Sequence, residues 1–261
     1  MIKAIFFDID GTLVSFNTHI VLDSTIRAIE KARQKGILIF ISTGRAKMTI
    51  NNLSSLQTKN LIDGYITLNG SYCYVGDNVL CHSYICDEDI KLMLDYCRIY
   101  KKSCIFVSDN KRIIFQPDEF IEHVYYNKFK IPEIKEATSE EILSEKIIQM
   151  TPFVTSNEEQ EIFNRLLNCE MGRWHPSFTD VTAKGITKKK GMFEIIKHFN
   201  IKPEETMSFG DGENDISILK YSGIGVAMGQ ASENVKKSAD YITDSVDEDG
   251  ICNAMVHFGV I

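Results

Sequence analysis

Apolar runs of four or five residues recur along the first third and the last quarter of the chain, alternating with stretches whose apolar positions fall three and four apart. Runs such as Ala4-Ile5-Phe6-Phe7 and Ile37-Leu38-Ile39-Phe40-Ile41 are uninterrupted, the pattern of strands buried on both faces of a parallel sheet. Between them Ser24 is placed to cap a helix whose apolar positions Ile26, Ile29 and Ala32 share one side, and Gly36 to end it. A helix over 46–56, a strand over 65–68 leaving through Asn69-Gly70, and a hairpin over 72–82 turning at Gly76-Asp77-Asn78 follow. The alternation returns later as helix 188–199, strand 206–209, helix 216–221, strand 224–228, helix 232–239, a short strand 241–242 and helix 251–258.

The middle of the chain breaks this rhythm. A helix over 87–100 has Ile90, Leu92, Met93, Leu94 and Tyr96 as its apolar positions, and strands 104–107 and 112–115 flank a turn at Asp109-Asn110. Pro117 opens a helix carrying Phe120, Ile121, Val124 and Tyr125. After a connecting piece come a strand over 147–154, a helix over 158–167 and a second strand pair, 170–174 and 178–182. Helix–strand–strand used twice is an α+β arrangement with an antiparallel sheet. The expectation is therefore an α/β fold: a Rossmann-like parallel-sheet core formed by residues 1–82 and 185–261, with an α+β cap inserted over 83–184.

Composition narrows the class of partner. The chain has 261 residues, 44% hydrophobic and 25% charged, as in an ordinary globular protein, and its net charge of −7 leaves no basic face for nucleic acid. The first apolar run is broken by Asp8 too early for a signal peptide, and no run nears the roughly 18 residues of a membrane span. Seven cysteines, an odd number without a C-x-x-C pair, read as reduced thiols, so the expected compartment is the cytoplasm. His82 beside Cys81 and Cys86 is too small a set for an expected zinc site. No feature of the sequence specifies an oligomeric state.

Candidate chemistry lies where the predicted strands end. Asp8 and Asp10, two apart, point to the same side of the first strand, Gly11 permits a tight exit, and Thr12 can hydrogen-bond into it. Two like charges at the end of an apolar strand are costly unless a cation neutralises them or one holds a proton. An Asx-type turn also accounts for the pair, whereas a calcium loop does not, because Gly11 follows Asp10 directly. The right-handed crossover brings Thr43-Gly44-Arg45 to the same sheet edge. Lys188 at a helix start and the stretch from Asp211 to Asp215 complete an inventory of carboxylates, a hydroxyl, backbone N–H groups and a cation. That set suits phosphoryl transfer with Mg2+.

Asp8-Ile9-Asp10-Gly11-Thr12, Ser42-Thr43-Gly44-Arg45, Lys188, and Gly210-Asp211-Gly212-Glu213-Asn214-Asp215 together resemble the ordered motifs of the haloacid dehalogenase superfamily. The position of the insert after the third strand, and its αββ pattern, resemble the Cof-like sugar-phosphate phosphatases. The resemblance implies that Asp8 is the nucleophile and Asp10 the general acid and base. Thr43 and the backbone at Gly44 would bind the phosphoryl group, Lys188 would pair with the nucleophile and the transferring charge, and Asn214 would bind near the phosphoryl group or Lys188. Arg45, a further candidate for the phosphoryl group, and Asn69 are active-site neighbours or strand-end structural residues. Asp8, the backbone carbonyl of Asp10 and Asp211 would ligate Mg2+, with Asp215 acting through water. Matching forward from Gly185 selects Lys188, while matching backward from Gly191 selects Lys190. The implied function is Mg2+-dependent hydrolysis of a small phosphorylated metabolite, a hexose phosphate in the first instance, through an aspartyl phosphate. A phosphosugar mutase of the same superfamily and a non-catalytic aspartate phospho-acceptor are the alternatives. Asp109, Asn110, Arg173 and His175 are candidates for contact with the leaving group.

Overall fold

The computed structural model describes all residues except 122–125 and 127–132. In chain order the first elements are β1 (Ala4–Phe7), α1 (Asp23–Gln34), β2 (Leu38–Ser42), α2 (Ser54–Gln57), β3 (Gly64–Thr67), β4 (Tyr72–Val75) and β5 (Asn78–His82). There follow α3 (Asp87–Tyr100), β6 (Cys104–Val107), β7 (Arg112–Phe115), β8 (Lys135–Glu136), α4 (Ser139–Leu143), β9 (Gln149–Pro152), α5 (Ser156–Phe163), β10 (Cys169–His175) and β11 (Phe178–Ala183). The last are α6 (Lys188–His198), β12 (Thr206–Gly210), α7 (Ile216–Leu219), β13 (Ile224–Ala227), α8 (Glu233–Lys236), β14 (Tyr241–Ile242) and α9 (Gly250–His257). Two compact units result, one of Met1–Cys81 with Thr187–Ile261, the other of His82–Ile186.

The first unit is an α/β layer structure around a sheet of order β14-β13-β12-β1-β2-β3-β4-β5. From β14 to β3 every neighbouring pair is parallel, and β4 runs antiparallel to β3. Strand β1 lies at the centre because it is apolar on both faces. Ile5 and Phe7 pack with α1 and α9 through Ile29, Ala32 and Ala254, while Ala4 and Phe6 pack with α6 through Met192 and Ile195. Phe6 stacks on Phe40 and Phe7 on Phe209, each pair 5.0 Å between centroids. Each such buried ring contributes roughly 1.5–3 kcal/mol.

The second unit holds a sheet of order β10-β11-β9-β6-β7-β8. Here all pairs are antiparallel except β7 with β8. One face carries Cys104, Phe106, Met150 and Val181 into an apolar core with Met93, Ile142 and Ile162 from α3, α4 and α5. Alternation turns Gln149, Thr151 and Asp180 the other way, where Gln149 Nε2 and Thr151 Oγ1 both donate to Asp180 Oδ1 at 3.0 and 2.9 Å.

Several local expectations change. Leu22, not Ser24, occupies the cap of α1, and Ser24 Oγ donates instead to Asp249 at 2.5 Å. The stretch expected as one helix over 46–56 is a 3-10 turn over Lys47–Thr49 followed by the short α2. Thr49 Oγ1 turns back to Ala46 O at 2.8 Å, and such side-chain bonds compete with helix continuation. Strand β8 and helix α4 were not expected, although Thr138 and Glu141 form a capping box that the sequence spells out. The same device, Thr155 with Glu158, starts α5 at Ser156 rather than at 158. Of the helix expected after Pro117, Val124 and Tyr125 lie outside the described residues.

Candidate active site

The order β12-β1-β2 places three strand ends side by side. Phe7 is level with Ile41 on one side and Phe209 on the other, and Asp8 N–H still donates to Phe209 O at 3.1 Å. Beyond that point the chains diverge into polar loops, as parallel sheets do where they bind ligands. Gly11 has φ +86° and a Cβ there would sit 2.2 Å from Asp211 Oδ2, so a glycine is required for the two loops to close on each other. Thr12 Oγ1 then donates to Asp211 Oδ1 at 2.8 Å. Helix α6 reaches the same place because Gly70 (φ +102°) lets Thr187 O approach within 2.2 Å of where a Cβ would be. Thr187 caps the helix through Lys190 N, and Lys188 turns inward, fully buried.

Lys188 Nζ donates to Asp8 Oδ1 at 2.6 Å and to Asp215 Oδ1 at 2.5 Å. The other oxygen of Asp215 accepts from the N–H groups of Asp211 and Gly212 at 3.1 and 3.0 Å. Among the described residues nothing donates to Asp8 Oδ2. Lys189 and Lys190 are exposed, so of the two lysines the sequence leaves open it is Lys188 that meets the carboxylates. Burial opposes the Lys188 charge, yet Asp215 and Asp8 outweigh it and the ammonium keeps its proton more firmly than a free lysine. Asp8 is held well above the ordinary carboxylate range by burial; Lys188 pulls against that, and Asp215 and Asp211 reinforce it. Burial, with Asp215 beside it, likewise pushes Asp211 up to about 7.

Asp8, Asp211 and Asp215 each offer an oxygen within 4.8 Å of the others. Three carboxylates against one ammonium is an excess of negative charge in a dry place, and an all-oxygen donor set fits a hard divalent cation such as Mg2+. The Asp10 side chain is not part of this set; its carboxylate pairs with Arg45 at 2.6 Å. Thr43 is buried, its N–H on Ile66 O at 2.8 Å and its hydroxyl accepting from Arg45 N at 3.1 Å. Gly44 runs close to Asn69, where a Cβ would lie 3.2 Å from Oδ1. Asn214 Nδ2 donates to Asn69 Oδ1 at 2.9 Å, so Asn69 and Thr12 belong to this neighbourhood; in the sequence Thr12 stands in the motif that starts at Asp8, and Asn69 is marked by its place at a strand end. In the second unit, Arg173 donates to Glu159 and to the carbonyls of Val154, Pro176 and Phe178, which ties β10 and β11 to α5. Asp109 and Asn110 are exposed.

The whole chain has relatives. A sugar phosphatase of subclass IIB of the haloacid dehalogenase superfamily superposes with a TM-score of 0.93 at 55% identity, over 99% of this chain and 100% of that one. A 5-amino-6-(5-phospho-D-ribitylamino)uracil phosphatase of Bacillus subtilis is 32% identical over 98% of this chain and 96% of its own length. A putative phosphatase of the same organism is 29% identical over 99% and 98%. The family model of haloacid dehalogenase-like hydrolases matches residues 5–255. The chain belongs to that family and is a hydrolase of the phosphatase type.

Proposed function

We propose that this haloacid dehalogenase-like phosphatase hydrolyses small phosphorylated sugars, hexose phosphates foremost, with Mg2+ as cofactor and an aspartyl phosphate as intermediate. The observation that carries the reading is the buried ammonium of Lys188 bridging Asp8 and Asp215, with Asp211 alongside. Bound among Asp8, Asp211 and Asp215, Mg2+ would offset the negative charge that nucleophile and phosphoryl oxygens bring together. Lys188 fixes Asp8 Oδ1 and turns Oδ2 to the incoming phosphorus. As the new bond from Asp8 forms, the ester P–O bond breaks and Asp10 delivers its proton to the leaving alkoxide. Asp10 then takes a proton from water as that water attacks phosphorus; the bond to Asp8 breaks, and inorganic phosphate leaves. Thr43, the Gly44 backbone and Asn214 supply donors to the phosphoryl oxygens.

The sugar class is supported by the subclass IIB neighbour, itself a sugar phosphatase. The inserted unit is assigned the role of a cap that selects the leaving group. All seven cysteines are free, as suits the cytoplasm, and no helix among the described residues is long and apolar enough to cross a membrane. The test is release of phosphate from p-nitrophenyl phosphate and from a panel of hexose phosphates, with Mg2+ and after chelation. Turnover is expected only with the ion, without a bisphosphate activator, and to vanish in Asp8→Asn; an Asp8→Asn variant that still turns over rules out the covalent route.

A further inference from the structure

Asp10 stands two residues from Asp8, yet its carboxylate is held by a different partner. Arg45 Nη2 donates to Oδ1 at 2.6 Å and Nε to Oδ2 at 2.7 Å. Two parallel bonds from one planar guanidinium set the plane of a carboxylate as well as its position, which a single contact cannot do. The fork is itself anchored, because Nη1 donates to Thr49 O at 3.1 Å. The backbone is pinned too: Arg45 N donates to Thr43 Oγ1 at 3.1 Å, and Arg45 O accepts from Leu68 N at 3.1 Å. All three guanidinium nitrogens are thus directed at protein acceptors, which differs from the phosphoryl contact that the sequence suggests for this residue.

We propose that Arg45 is a positioning residue that orients the carboxyl of Asp10 for proton transfer to the leaving group and from water. The inference rests on the proton-transfer role given to Asp10 above. Asp10 and Arg45 are each about one-third exposed, and among the described residues the two bonds of the fork are the hydrogen bonds that the Asp10 carboxylate accepts. Misplacement of a catalytic group by about 1 Å costs on the order of a hundredfold in rate.

Leaving groups of different basicity separate positioning from phosphate binding. An alkoxide needs the proton from Asp10 as the P–O bond breaks, whereas p-nitrophenolate leaves as a stabilised anion and needs it far less. The quantity to measure is the ratio of kcat/KM for glucose phosphate, esterified at its primary hydroxyl, to that for p-nitrophenyl phosphate. In Arg45→Ala the ratio is expected to fall about tenfold to a hundredfold. Asp10→Asn should lower it at least as far, and the double variant no further, since both changes remove one function. Arg45→Lys, which keeps the charge and grips one oxygen, should fall between. Equal losses on both esters in Arg45→Ala, with weaker inhibition by inorganic phosphate, would return Arg45 to phosphoryl binding and overturn the proposal. An Asp10→Asn variant with an unchanged ratio overturns the proton-transfer role itself, and this inference with it; a ratio that falls in Asp10→Asn but holds in Arg45→Ala and Arg45→Lys overturns this inference alone.

Discussion

The acids at the strand ends of the parallel-sheet unit and the acids at the helix starts of the inserted unit are satisfied in opposite ways. In the parallel-sheet unit Asp8, Asp211 and Asp215 crowd around one buried ammonium, and burial holds Asp8 and Asp211 above their ordinary range. In the inserted unit acids have donors of their own. Glu158 meets Lys102 and the Thr155 N–H, which lower it to about 2; Glu141 meets the Thr138 N–H, which lowers it; and Glu159 meets Arg173. The second pattern is self-sufficient and stabilises helix starts and strand turns. The first is electrostatically unfinished, and a protein keeps such an arrangement where something charged is to be bound.

The largest expected effect therefore comes from Lys188. Lys188→Met removes the cation that bridges Asp8 and Asp215 and leaves the two carboxyls facing each other without it. Breaking a buried ion pair from one side costs about 3–5 kcal/mol, so chemical denaturation should show a loss of that size. Phosphatase activity should fall by about a thousandfold or more. A variant with wild-type stability would mean that the cluster is not held together by this charge, and the contrast between the units would fail at its centre.

Phe106→Ala addresses the inserted unit, whose stability comes from the apolar face of its sheet. Phe106 is fully buried on β6, between β9 and β7. Truncating a buried phenylalanine costs roughly 3–5 kcal/mol. Hydrogen exchange should quicken in β6 and β9 while β1 and β2 keep their protection. Equal acceleration in all four strands would show that the two cores unfold as one.

How legible each region was follows from the same contrast. The parallel-sheet unit could be placed from sequence because its strands are continuous apolar runs, such as Ala4–Phe7, that end in polar clusters. The crossover rule then brings those ends together. What sequence could not supply is which partner each polar group takes. Arg45 next to Thr43-Gly44 reads as a phosphoryl contact, and only the fold turns its fork onto Asp10. Likewise Lys188 is one of three consecutive lysines, and the phase of α6, set by the Thr187 cap, decides which of them is buried. The inserted unit was less legible where elements are short: β8 and α4 carry few apolar positions, and the Thr138–Glu141 signal is local rather than periodic. The 46–56 stretch differs for another reason, since Thr49 bonds back to the Ala46 carbonyl and competes with helix continuation.

A smaller effect tests whether the acidic cluster is completed by a divalent ion. Asp211 has its carboxyl pushed up to about 7, far above the ordinary aspartate value of 3.8. A raised carboxyl pKa in the fold means that ionisation opposes folding, so the metal-free protein loses stability from this group as pH rises from about 4 through 7. A bound cation reverses that penalty, but below pH 7 it must displace the proton. Mg2+ should thus raise the melting temperature strongly at pH 8 and little at pH 5.5. At a hundred times its dissociation constant the gain is about 2.7 kcal/mol. A gain of equal size at both pH values, or none at pH 8, would break the link between the cluster and the ion.

The smallest effect runs in the opposite direction along the pH axis. Glu158 is lowered to about 2 by its hydrogen bond to Lys102 and then by the Thr155 N–H that it accepts at the start of α5. A depressed carboxylate contributes stability that is fully present above its unfolded pKa, near 4.5, and fades as pH falls toward 2. The side chain is partly open to solvent, which screens the ion pair, so the helix cap sets the scale at about 1 kcal/mol. Glu158→Gln should therefore lower stability by about that amount at pH 7, as read by urea denaturation. The deficit should shrink below pH 4.5, where the wild-type advantage begins to be lost. Carboxyl-detected NMR gives the independent check: the Glu158 resonance should still be that of an ionised group at pH 3. A midpoint near 4.5 would show that this acid is no better satisfied than a free one, and the self-sufficiency assigned to the inserted unit would have to rest on its apolar core alone.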